Sequence, residues 1–311
     1  LHLCDRRQRQ MCIRDSYNAD GVIKGLDGIA YTKDQYSQIS VPLADEYITE
    51  TIREVQELFE NPDNVGFDGT DQFLIGDAYW NGIAPREELL KTIASTYAAP
   101  GVTAWYSSLP ELNITNGANF YQTREAKIAT LLNDSSRGLS DEQKEYWQNI
   151  NSQVETPFQY GYYEGWLTIN TCFELLMFAI LAVCIVLAPV FSGEYQAGTD
   201  AVILSGKYGK TKLTTAKIIA SYLFGLFAFT IHILVAFGLP LVAFGVDGWN
   251  LPMQIAGTSI PYPFTFLQGI LVNLGVIYFV LFAIIGLTLL LSSKMRSPYL
   301  VLIVLLSLIH I

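Results

Sequence analysis

Three uninterrupted apolar stretches fill the C-terminal half of this chain, and no other feature restricts its fold as much. Residues 166–191, 218–246 and 264–291 each exceed the roughly 20 residues a helix needs to cross a hydrocarbon core about 30 Å thick. Backbone in lipid must satisfy its own hydrogen bonds, so each stretch is expected to be a transmembrane helix. A fourth apolar run, 298–311, breaks off before a full crossing. Composition agrees: 15% of the 311 residues are charged, against about 25% in a soluble domain.

The charge is unevenly placed. Residues 17–165 carry 9 Lys/Arg and 23 Asp/Glu, whereas residues 166–311 carry 6 and 4. An acidic, water-soluble block thus precedes an apolar one. Such a block repels nucleic acid, since binding there rests on neutralising phosphates, so no nucleic-acid partner is expected. The block holds no Cys and no His. That excludes disulfides, the usual zinc sites and His-dependent nucleophilic sites within it. No metal site is expected in the chain.

Lysines set the expected orientation. Lys207, Lys210, Lys212 and Lys217 lie in the 192–217 loop, and Lys294 and Arg296 in the 292–297 loop. The 247–263 loop has Asp247 and no basic residue. The positive-inside rule makes the two basic loops cytoplasmic and puts 247–263 and the acidic block 17–165 outside. An outside block needs a preceding span, and residues 1–16, LHLCDRRQRQMCIRDS, are not one. They, and about 306–311, resemble non-native assembly sequence, and a first span is expected to be lost. The expected fold is an all-α polytopic membrane bundle, with a large, mainly helical extracellular domain inserted between the lost first span and the next.

Within the acidic block, Leu43, Tyr47, Ile48, Ile52, Val55, Leu58 and Phe59 recur at helical spacing until Asn61-Pro62. Pro85 opens a second helix, with Leu89, Leu90, Ile93 and Tyr97 as its apolar face. A third covers about 119–133, and Ser140 with Gln143 forms a capping box for a fourth. The stretch 61–84 reads as loop. Its Asp63, Asp68, Asp71 and Asp77 offer oxygen ligands of the kind calcium takes, but without EF-hand spacing, and read as a solvated acidic face. The aromatic run from Pro157 to Trp166 fits a belt at the membrane surface.

The 192–217 loop is the most informative. Gly209-Lys210-Thr211 looks like the end of a phosphate loop, but position 204 is Leu where that motif needs Gly, so nucleotide binding by this chain is rejected. Ser192-Gly193, Glu194-Tyr195, Gly198-Thr199, Ile203-Leu204, the basic run Lys207 to Lys212 and Lys217 follow one another directly after a span. In that order and place they resemble the membrane subunit of type-2 ABC transporters, although Gln196 stands where that family often has a basic residue. The resemblance implies a permease subunit of an ATP-driven exporter in a bacterial plasma membrane. It pairs with a second permease copy or a paralogue and works with a separate ABC ATP-binding subunit. It is not itself an enzyme and holds no cofactor; ATP and Mg belong to the partner.

By the same resemblance, Glu194, Tyr195, Gly198, Thr199, Lys207, Lys210, Lys212 and Lys217 form the loop coupled to the ATPase. Glu194 is expected to cap a loop helix, Gly198 to permit close packing, and the lysines to meet the ATPase or membrane lipid. Inside the spans, Asn170, Glu174, His232 and Asn273 are a candidate translocation path, or alternatively interhelical hydrogen-bonding groups. His232 is expected on a stripe with Ser221, Gly225 and Ala228. Two other readings remain: a membrane-anchored receptor with an outer ligand domain, and an ion-coupled transporter using Glu174.

Overall fold

The computed structural model describes residues 15–18, 21–69, 71–102 and 104–309. Of the two expected foreign ends, residues 1–14 and 310–311 lie outside this description. The chain is mainly helical and divides into two compact units. One unit takes the residues up to Trp166 together with Ala243–Gly269; the other takes Leu167–Val242 and the residues from Ile270 onward.

The first unit opens with an antiparallel hairpin, β1 (Asp15–Asn18) and β2 (Gly21–Lys24), followed by α1 (Gly25–Ser37). The short strand β3 (Val41–Pro42) leads into α2 (Asp45–Glu60). Ile48, Thr51, Ile52 and Val55 of α2 are buried at helical spacing, and Asn61 ends it by accepting from the Asp63 amide at 3.1 Å. The stretch expected as loop is instead ordered. Strands β4 (Val65–Asp68) and β5 (Asp71–Leu74) pair through a turn carrying Gly69 at φ 62°, and α3 (Gly76–Gly82) follows. Turn residues mask two strands of only four residues each, too short for a periodic signal.

Helices α4 (Glu87–Tyr97) and α5 (Phe120–Asn133) supply much of the core. On α5 the buried residues Phe120, Arg124, Ile128 and Leu132 fall four apart, along one stripe. Helix α6 (Asp141–Asn151) starts at the capping box: Ser140 Oγ accepts from the Gln143 amide and Gln143 returns the bond. Strand β6 (Gln159–Tyr160) then pairs with β3.

The aromatic run after Pro157 is not a surface belt. Phe158, Tyr160, Tyr162, Tyr163 and Trp166 are all buried in this unit. Phe158 meets Phe120 and Tyr121 edge-on, Tyr163 stacks on Phe266 at 5.1 Å, and Trp166 donates to the Val246 carbonyl at 3.0 Å. Composition alone does not separate a lipid-interface aromatic from a core one, since both bury a ring and satisfy a polar tip.

Residues 247–263, expected as a separate loop, are part of the same core. Thr92 donates to the Ile255 carbonyl at 2.8 Å and Thr96 to Thr258 Oγ1 at 3.0 Å. Arg124, 1% exposed, donates to the Thr258 and Ile260 carbonyls, to Asn151 and to Glu125. Its guanidinium lies over the Phe158 ring. A fork of five donors can tie a returning loop to a helix in this way, where an ammonium cannot.

Among the described residues, three helical runs are long and apolar enough to cross a membrane: Glu164–Ala197, Gly209–Phe244 and Phe266–Lys294. The first begins in the acidic unit. It consists of α7 (Glu164–Cys172), a 3₁₀ turn over Phe173–Leu175, α8 (Leu176–Leu187) and α9 (Pro189–Ala197). Next come α10 (Asp200–Ser205), a π turn over Gly209–Leu213, and α11 (Thr214–Phe244). Helices α12 (Phe266–Lys294) and α13 (Pro298–Ile309) follow. On α11 the buried row is Ser221, Gly225, Phe229, Ile233 and Phe237. Gly225 allows close packing there: a Cβ would lie 2.5 Å from the Ile285 side chain, which would have to shift. Large apolar residues such as Phe227, Leu234 and Phe279 are exposed, as lipid-facing side chains would be.

Candidate functional site

The stretch after the first apolar run folds into a compact elbow, all of it within the second unit. Pro189 starts α9 and leaves that helix with first-turn amides that have no partner within it. Ser292, fully buried on α12, supplies one from a distance: its Oγ accepts from the Phe191 and Ser192 amides, each at 3.0 Å, and donates to the Ala188 carbonyl at 2.7 Å. This is an N-cap provided by another helix. Tyr195 donates to the Ser293 carbonyl at 3.3 Å, one residue along. Sequence reading missed Ser292, because nothing local marks a cap delivered from a hundred residues away.

The Glu-Tyr and Gly-Thr pairs have a direct structural meaning. Gly198 sits at φ 68° immediately after α9. Its amide donates to the Tyr195 carbonyl at 3.2 Å, and the Thr199 amide to the Glu194 carbonyl at 3.1 Å. Those two bonds define a Schellman motif, with Glu194 and Tyr195 giving the acceptors and Gly198 the left-handed residue. Two expected roles therefore change. Glu194 lies in the last turn of its helix, so its carboxylate caps no N-terminus. It pairs instead with the ammonium of Lys217 at the entry of α11. Gly198 is needed for its backbone conformation, not for packing: a Cβ there would meet nothing within 4 Å.

Lys217 also donates to the Val190 carbonyl at 3.0 Å and lies over the Phe191 ring. Lys207, Lys210 and Lys212 are exposed, and Lys207 and Lys212 both stack on Tyr208. Val202 is 74% exposed and Tyr208 50%, so the apex of the elbow is basic with apolar side chains among the lysines. Behind the apex lies a cavity of about 470 Å³, bounded by α9, α10, the start of α11 and the end of α12.

The four polar residues inside the spans are not brought together by any hydrogen bond. Asn170, Glu174, His232 and Asn273 are all exposed on the chain, and among the described residues none makes a side-chain hydrogen bond. His232 lies off the stripe expected for it. The inward row of α11 steps from Gly225 to Phe229 and Ile233, which turns the neighbouring residue outward. The acidic loop residues Asp63, Asp68, Asp71 and Asp77 form no cluster: among the described residues no group of three or more His, Cys, Asp or Glu is placed to hold a metal ion. In comparisons with known proteins, no family model, no curated protein and no solved structure matches this chain.

Proposed function

We propose that the chain is a membrane-spanning permease subunit of an ATP-driven exporter, similar to type-2 ABC permeases. The elbow of residues 189–217 is its contact with a separate ATP-binding subunit. The supporting observation is the Schellman turn and the Glu194–Lys217 pair, which fix a basic, partly apolar apex at the junction of two apolar helices. Ser292 and Tyr195 tie the same elbow to α12. A push on Val202, Tyr208 and the exposed lysines is then passed to the ends of three helices at once. Rigid coupling of this kind is what a partner that closes on ATP needs in order to move a translocation path.

The sidedness follows from the lysine pattern: basic loops in the cytoplasm of a bacterial cell, acidic unit outside. It is supported by the way residues 247–263 and the acidic block share one core, since both are assigned to the same side. A second permease copy or paralogue completes the path and covers Asn170, Glu174, His232 and Asn273, which are costly to leave facing lipid. ATP and Mg are bound by the partner.

The test is co-purification. The full-length gene is expressed tagged with its neighbouring genes, and the membranes are solubilised gently. An ATPase is expected to accompany the tagged chain, to be released by Glu194→Ala and by Lys210→Ala, and to be recovered in the charge swap Glu194→Lys with Lys217→Glu. A chain that emerges alone with all its neighbours expressed and no ATP hydrolysis in the preparation would overturn the reading.

A further inference from the structure

The cavity behind the elbow has an apolar wall that the docking role leaves unused. Its volume of about 470 Å³ lies within the range of roughly 300–1,000 Å³ typical of small-molecule sites. Ile203, Leu204, Leu213, Ile218, Leu289 and Leu290 form an apolar part of its wall. The polar groups among them are largely spoken for. Glu194 and Lys217 neutralise each other, Tyr195 donates to Ser293, and Thr214 donates to the Gly209 carbonyl. Asp200 stands in the first turn of α10, at the helix end that favours a carboxylate. Between the wall residues Gly209 and Leu213 the chain presents Lys210 and Lys212, both exposed and neither in an ion pair among the described residues. A partly apolar cavity therefore includes in its wall the two residues that flank a pair of exposed cations without ion-pair partners among the described residues.

We propose that this cavity seats an acyl chain of an anionic phospholipid from the surrounding bilayer, with the lipid phosphate held at Lys210 and Lys212. Such a lipid joins an apolar tail to an anionic head, and here the apolar wall includes Gly209 and Leu213, which flank Lys210 and Lys212 in the chain. Filling the cavity removes apolar wall from water. Each lysine near a membrane surface favours an anionic over a neutral headgroup by about fivefold. The inference requires that the apolar helices span a bilayer, and nothing of the ATP-driven reading.

The full chain, reconstituted in vesicles of equal parts phosphatidylcholine and phosphatidylglycerol, is extracted mildly, and the retained lipids are identified by native mass spectrometry. Phosphatidylglycerol is expected to be retained in preference. The double variant Lys210→Gln, Lys212→Gln is expected to lower that preference by about twenty-fivefold. Ile203→Trp, which fills the cavity, is expected to lose both lipids. An unchanged preference in the double variant would overturn the proposal. So would retention of lipid by Ile203→Trp at the wild-type level, or displacement of the lipid by inorganic phosphate, which would make this a soluble-anion site. The lysine variant sits at exposed positions and needs no repacking, so it decides the matter even if the tryptophan variant misfolds. Failure of an ATPase to co-purify would leave every one of these readings intact.

Discussion

Gly198 and Gly275 show how differently two glycines act. A Cβ at either would meet nothing within 4 Å, but only Gly198 has a left-handed backbone, at φ 68°. Gly198→Ala is expected to cost about 1 kcal/mol, and Gly275→Ala, in a helix, to be neutral or slightly stabilising. Thermal denaturation of the two variants in detergent compares them directly. Tyr121 carries a pH dependence. Its hydroxyl donates to the Leu43 carbonyl and accepts from the Phe158 amide, both at 2.8 Å. Burial is the main cause that pushes it from an ordinary value near 10 up to about 12. The folded state thus holds this proton more tightly than the unfolded chain does. Its contribution is complete below pH 10 and is lost as pH rises through about 12. Alkaline titration followed by Trp fluorescence should show that loss, with a shallower slope in Tyr121→Phe.

At the scale of elements, α9 depends on a cap it does not own. Ser292→Ala removes the acceptor of the Phe191 and Ser192 amides while leaving the α12 backbone unchanged. The expected cost is about 1–2 kcal/mol. Faster hydrogen exchange should appear first at residues 189–197, and a change confined to α12 would contradict the cross-helix cap. Ser140 is the local counterpart, with its capping box complete within four residues. That is why the start of α6 was legible in the sequence and the start of α9 was not. The same contrast separates the faces of α11. Spacing alone allowed a stripe through Ala228 and His232, and packing against Val183 and Ile285 selected the one through Phe229 and Ile233.

At the scale of the whole molecule, the acidic unit is built from two distant pieces of chain. Thr92, Thr96 and Arg124 place their polar atoms against residues 255–260. A protein made of residues 17–166 alone would leave these groups buried without partners, or open them to water. It is expected to lose a cooperative thermal transition, and to regain it when residues 243–269 are joined to it by a flexible linker. Equal melting of the two proteins would show that the second segment is not part of the core.

The sequence by itself determined where the apolar helices run, because about 20 consecutive apolar residues admit no other structure in lipid. It also determined α2, α4 and α6, whose periodicity and caps are local signals. Only the tertiary structure decided what those signals leave open. It put the aromatic run Phe158–Trp166 in a core, ordered the 61–84 stretch, joined 243–269 to the acidic block and gave Glu194 to Lys217. Each of these outcomes rests on atoms distant in sequence. A residue's type and spacing state what it can bond to, while the partner is chosen by which distant segments the packing brings within reach.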